Sequence, residues 1–229
     1  CVAIAPHYFW HSQIAYTNLP YTTYLALGLL YLHSYLGSQN KSELYLGVIL
    51  SAASTWVRSV EPFWLINLLF ALILILRSRH YRSFIPSLLI TLGVERVWKT
   101  YTSIMQSRVV ESSFSQITSN VATLTTSIKP DNSVLIFSAI NYFITHAMRP
   151  YLPVLILLIV TLIVKIITRF RSYWLESVIF AYYGVAFAGT LIFATTQSYW
   201  SNIPGSLERM MMFISVPIIF NFILIVKKV

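Results

Sequence analysis

LYLGVILSAASTWVRSVEPFWLINLLFALILIL, residues 44–76, is two apolar runs without a charge, joined by Arg58-Ser59-Val60-Glu61. A bilayer core takes about 20 apolar residues per helix, with roughly 17 as the lower edge. Each run reaches that edge once its interfacial residues are counted, so the pair reads as a membrane hairpin. Arg58 and Glu61 then sit at its tip, at one membrane face. A charge there costs less than one at mid-bilayer but still calls for a reason. Two reasons compete: a snorkelling Arg paired with a nearby Glu, and an anionic ligand held at that face.

Composition agrees with the hairpin. The 229 residues are 57% apolar and 10% charged, with a mean hydropathy of +0.69. Soluble domains carry roughly 25% charged residues. An integral, multi-pass protein of the cell (cytoplasmic) membrane is therefore expected, with an all-α helix bundle as its fold. Its partners begin with membrane lipid. The net charge of +9 would bring nucleic acid into view for a soluble chain. Here Lys and Arg gather on loops, as they do on the cytoplasmic side of membrane proteins, and nucleic acid is not expected. The single Cys1 excludes an internal disulfide.

Seven candidate spans follow in order: 21–36, 44–57, 62–76, 84–98, 151–167, 174–195 and 210–226. The alternate loops 37–43, 77–83 and 168–173 and the tail from 227 are short and basic. With Lys165 they hold Lys41, Arg77, Arg79, Arg82, Arg169, Arg171, Lys227 and Lys228. The first face also holds the acids Glu43 and Glu176, and the opposite face holds Arg58, Arg96, Lys99, Arg108, Lys129, Arg149 and Arg209 and most of the acids: Glu61, Glu95, Glu111, Asp131 and Glu208. The first face is expected to be cytoplasmic, and the second carries the long loops in which a site is easier to build. All 229 residues are expected to form one transmembrane domain, with 99–150 as its outer loop region. Residues 1–6 read as the end of a span already under way, so an N-terminal part is expected upstream.

Three outer segments carry the remaining signals. In 7–20, HYFWHSQIAYTNLP, aromatic and polar residues suit an interfacial segment. His7 and His11 could share a helix face, but no third ligand is at hand, and no metal is expected. In 100–133, Val110, Phe114, Ile117, Val121, Leu124 and Ile128 follow the helix period, and Pro130 comes just after. This predicts an amphipathic helix over about 103–128, packed on the bundle or covering an entrance from the lipid. The apolar stretch 134–148 ends at Arg149-Pro150 and is read as interfacial, because a crossing there would put the basic loop 168–173 outside. In 196–209, TQSYWSNIPGSLER, Asn202, Pro204 and Gly205 predict a turn, with Glu208-Arg209 opening the last span. An acid complements the positive end of a helix and Arg opposes it, so Arg209 wants a partner, either a phosphate or Glu208.

Three stretches together resemble the membrane glycosyltransferases of the GT-C superfamily, which use polyprenyl-phosphate sugars and include the protein O-mannosyltransferases and the bacterial aminoarabinose transferase. They are APHYFWHSQIAYTNLPYTTYLALGLLYL (5–32), LYLGVILSAASTWVRSVEPFWLI (44–66) and SLERMMMFISVPIIF (206–220). The resemblance implies a transferase moving a sugar from a polyprenyl-phosphate donor to a protein, lipid or glycan acceptor at the outer face, with inversion at the anomeric carbon. It implies no bound cofactor beyond that lipid-linked donor. It implies that Arg58 and Arg209 meet the donor phosphate, that Glu61 and Glu208 orient them, and that Tyr16 and Asn18 line the sugar pocket. The family's catalytic Asp would lie upstream. Other classes remain open: a lipid or solute transporter or flippase, and a non-catalytic membrane scaffold. Clean span centres and the lack of an internal repeat count against the transporter.

Overall fold

In a computed structural model of the chain, the described residues are 18–57, 62–106, 133–169, 173–196 and 203–227, with 118, 119, 122 and 125. They are helical, with no strand among them, as the all-α expectation requires. In order the helices are α1 (Asn18–Ser38), α2 (Lys41–Ala53), α3 (Phe63–Arg77), α4 (Phe84–Gln106), α5 (Ser133–Phe143), α6 (Leu152–Ile167), α7 (Trp174–Thr196) and α8 (Ile203–Val226). Each of the seven apolar segments read from the sequence falls on its own helix, α1–α4 and α6–α8. The periodic stripe from Val110 to Ile128 lies outside the described residues. α1–α4 form one compact unit and α5–α8 another.

In the first unit, glycine lets two helices meet. A Cβ on Gly47 of α2 would stand 2.7 Å from Leu32 Cγ and 3.0 Å from the Gly28 carbonyl oxygen of α1. A Cβ on Gly28 would collide with the Ser51 hydroxyl of α2. Small residues at such a crossing are how apolar helices gain close van der Waals contact without a hydrophobic drive between them. α3 closes the same layer through Asn67, fully buried. Its amide donates to the Leu25 carbonyl at 3.0 Å and to Ser51 Oγ at 3.1 Å. Other buried hydroxyls turn inward on their own helices, as Ser54 does to Ser51 O at 2.7 Å and Thr91 to Ser87 O at 3.0 Å.

Helix ends are set by local chemistry. Asn40 caps α2, its side chain accepting from Ser42 N–H at 3.0 Å. Gln39, Arg79 and Arg169 take positive φ angles of 55°, 57° and 50° just past the ends of α1, α3 and α6. Glycine usually fills that position, because a side chain there costs about 1–2 kcal/mol. All three stand in the loops assigned to the cytoplasmic face.

In the second unit, α5 runs into a π-helical turn, Ile144–Met148. Ile136–Met148 and Leu152–Ile167 are together long and apolar enough to cross a membrane, but they meet at 89°. Residues 134–148, read as an interfacial stretch, are thus one arm of a sharply bent pair whose other arm is α6. Of the described helices, α7 over Trp174–Ile192 alone passes that length and apolarity test, while Phe63–Arg77 and Met210–Val226 are shorter apolar helices. α5 packs on α7 through Ala139, Leu191, Ile136 and Phe187, with Phe143 and Phe187 edge to face at 5.4 Å. α8 buries a continuous run from Met211 to Ser215, as expected of the central helix of its unit.

The Gly28–Gly47 crossing is testable in a pair of variants. Gly47→Ala should destabilise the purified protein by about 1–3 kcal/mol, because the new methyl meets a backbone oxygen and a buried Leu. Gly93→Ala, with nothing within 4 Å, should be neutral or gain up to about 1 kcal/mol from helix propensity. Thermal melts of the two variants give the comparison, and equal effects would remove the crossing as the cause.

Candidate functional site

The residues singled out from the sequence fall mostly beyond the described part. Tyr16 and the whole 58–61 turn, with Arg58 and Glu61, lie outside the described residues, as do His7 and His11. Asn18 is the first residue of α1, and Glu208 and Arg209 belong to α8; their side chains lie outside the description. A cavity shared by Arg58 and Arg209 therefore falls outside it too. One expectation changes. α8 begins at Ile203, so Pro204 and Gly205 are not a turn before the helix but its first turn. Proline fits there because its missing N–H would have no intrahelical partner. Glu208 and Arg209 then stand beyond the first turn, where the helix dipole acts. The dipole conflict proposed for Arg209 largely disappears.

The end of α2, which precedes residues 58–61 in the chain, carries an aromatic cluster. Ser54–Trp56 forms a 3-10 turn that ends α2 two residues before Arg58. Trp56 donates its indole N–H to the Val94 carbonyl of α4 at 2.9 Å. Its ring stacks on Trp98 at 6.0 Å, and Trp98 stacks on Tyr101 at 5.5 Å. Trp56 is 37% exposed and Tyr101 50%, so the ledge keeps open ring surface. Between them on α4, Glu95 and Lys99 pair one turn apart at 2.9 Å.

The second unit holds a buried ionic cluster. Lys165 is in the last turn of α6 and Glu176 in the first turn of α7. The two form an ion pair, and Asn221 of α8 donates to Glu176 Oε1 at 2.8 Å. All three are at least nine-tenths buried. The Lys165 ammonium also lies 5.8 Å from the centre of the Tyr173 ring. Each charge suits its helix end, a cation near the C-terminus and an acid near the N-terminus. Glu176 Oε2 and Thr161 Oγ1, one turn before Lys165, are buried with no hydrogen-bond partner among the described residues. From the sequence, Lys165 and Glu176 counted only as charges of the cytoplasmic face. A cation in the last turn before a short loop and an acid in the first turn after it was the signal that could have found the pair.

Among the described residues, no group of three His, Cys, Asp or Glu side chains could hold a metal ion. No family model matches the chain, and no curated protein or solved structure matches it.

The ionic cluster makes a sharp stability prediction. Lys165→Met or Glu176→Leu alone should cost about 3–5 kcal/mol, because each strands a buried charge. Combining Lys165→Met, Glu176→Leu and Asn221→Leu should recover most of that loss. Denaturation curves of the single and triple variants test this; additive losses would mean the three residues act independently.

Proposed function

We propose that the chain forms the membrane bundle of a glycosyltransferase of about seven spans, acting at the outer face with a polyprenyl-phosphate sugar as donor. The membrane half of this reading is supported by which residues are exposed. α4 leaves Ile85, Leu88, Leu89, Leu92 and Val97 open, and α6 leaves Ile156, Ile159, Ile163, Ile166 and Ile167 open. Asn67, Glu176 and Asn221 are meanwhile buried. A water-soluble monomer rarely exposes apolar faces of this extent, whereas lipid is a suitable solvent for them.

The transferase half rests on the resemblance carried by 5–32, 44–66 and 206–220, and one observation carries it further. The open Trp56–Trp98–Tyr101 ledge begins two positions before Arg58 in the chain. Aromatic rings offer flat apolar surface to the C–H face of a sugar, and Arg offers paired N–H groups to a phosphate. In this reading the ledge takes the sugar and Arg58 the phosphate of one lipid-phosphate sugar. In this reading Arg58 and Arg209 stabilise the departing phosphate as charge builds on it. Glu61 and Glu208 orient them, and a general base supplied from upstream takes the acceptor proton.

A transporter is the second reading, and the 89° bend between α5 and α6 favours it, since broken helices and buried ionic groups line many transport pathways. Activity separates the two. In the full-length protein, Arg58→Ala and Arg209→Ala should each lower sugar transfer from a polyprenyl-phosphate donor by at least two orders of magnitude, with membrane insertion unchanged. Transfer at the normal rate in both would end the phosphate role. Topology is checked by single-Cys labelling with Cys1 replaced: positions 79 and 169 should react only from the cytoplasmic side, and labelling from outside alone would invert the arrangement.

A further inference from the structure

At one end of the α1–α4 unit, the loop after α3 reads Arg77-Ser78-Arg79-His80-Tyr81-Arg82. It is held in shape from below. The hydroxyl of Tyr35, a fully buried residue of α1, sits 2.8 Å from Ser78 Oγ and 2.7 Å from His80 Nδ1. Ser78 N–H donates to Leu74 O at 2.9 Å, and Ser83 N–H donates to His80 O at 2.8 Å. Tyr45 of α2 reaches Ser83 Oγ at 3.4 Å, which brings the start of α2 to the same end, with Lys41 one turn before Tyr45. Arg79 takes its positive φ inside this frame.

Lys41, Arg79 and Arg82 are exposed and form no ion pair among the described residues. Glu43, at the same end, is engaged by the Ser38 hydroxyl. Beside the cations stand apolar side chains open to the surroundings, Tyr81 at 59%, Phe84 at 42% and Ile85 at 64%. Cations alone would suit any anion. Cations bordered by an apolar slope running onto α4 suit a molecule with an anionic head and a hydrocarbon body.

We propose that Arg79, Arg82 and Lys41 form a binding site for the headgroup of an anionic phospholipid, with Tyr81, Phe84 and Ile85 against its glycerol and upper acyl chain. The site rests on the chain's lying in a bilayer. A frame already pinned by Tyr35 loses little freedom on binding, which favours a retained lipid over a diffuse counterion cloud. Arg rather than Lys at two of the three positions suits the phosphate, since the guanidinium offers two parallel N–H donors.

The full chain, purified in mixed micelles doped equally with phosphatidylglycerol and phosphatidylcholine, should retain phosphatidylglycerol preferentially in native mass spectra. Arg79→Gly combined with Arg82→Ala should reduce that preference by on the order of tenfold, because each basic residue near an anionic surface contributes comparably. Glycine eases the backbone at position 79, so a loss cannot be laid to misfolding there. Arg79→Lys with Arg82→Lys should keep most of the preference. Equal retention of the two lipids, or a preference untouched by the charge-removing pair, overturns the site. Release of the lipid by millimolar inorganic phosphate would also overturn it, as the occupant would then be a free anion. Carbonate extraction of the same membranes separates the two failures. A chain that stays with the membrane but shows no lipid preference refutes this site alone, and a chain released by carbonate removes the membrane reading with it.

Discussion

A side-chain amide donated across an apolar interface holds each unit of this protein in register. In the α1–α4 unit it is Asn67, and in the α5–α8 unit it is Asn221. An amide buried without partners costs several kcal/mol, so each Asn constrains the rotation and depth of its helix relative to the neighbours that accept from it. Apolar packing alone would tolerate sliding, because one aliphatic contact resembles the next. Hydrogen bonds between helices in such surroundings contribute only about 0.6–2 kcal/mol each, but they discriminate strongly between the right register and the wrong one. Gly28 and Gly47 supply the closeness that lets Asn67 reach both Leu25 and Ser51.

Most helix positions were legible in the sequence to within a few residues, because the chain is built of apolar runs punctuated by charge, but α4 runs on to Gln106 and α8 starts at Ile203, seven residues before its apolar run. The loop 77–83 marks itself in this way. Rotation about each helix axis was not legible. The apolar runs are hydrophobic on most sides, so no stripe shows which face turns inward, and Asn67 and Asn221 passed as unremarkable polar residues within spans. Lys165 and Glu176 read as charges of one membrane face because hydropathy counts a charge at a span end as interfacial, and only tertiary packing turns it inward. The start of α8 was missed for a different reason. Pro204-Gly205 has the composition of a turn, yet a helix accepts proline in its first turn. The π-turn at Ile144–Met148 has no sequence mark beyond the Arg149-Pro150 that follows it.

Each unit carries its own chemistry at its helix ends. In the first, Trp56, Trp98 and Tyr101 stack with ring surface left open. Short basic loops are closed by residues in the left-handed backbone region, Gln39 and Arg79 in the first unit and Arg169 in the second. A short loop held in this way adds positional stability, whereas longer connections more often carry adaptable chemistry.

The Gly28–Gly47 crossing also sets an order of assembly. The two glycines are separated by a single tight connection, so α1 and α2 can pair as soon as both have left the ribosome. Asn67 is made later, and its amide finds the Ser51 hydroxyl beside the Leu25 carbonyl only on a hairpin that is already closed. Until then that amide is an unsatisfied polar group in the middle of an apolar helix. α3 is thereby kept from settling against either neighbour alone, and a premature or mispaired hairpin presents no surface on which it can dock.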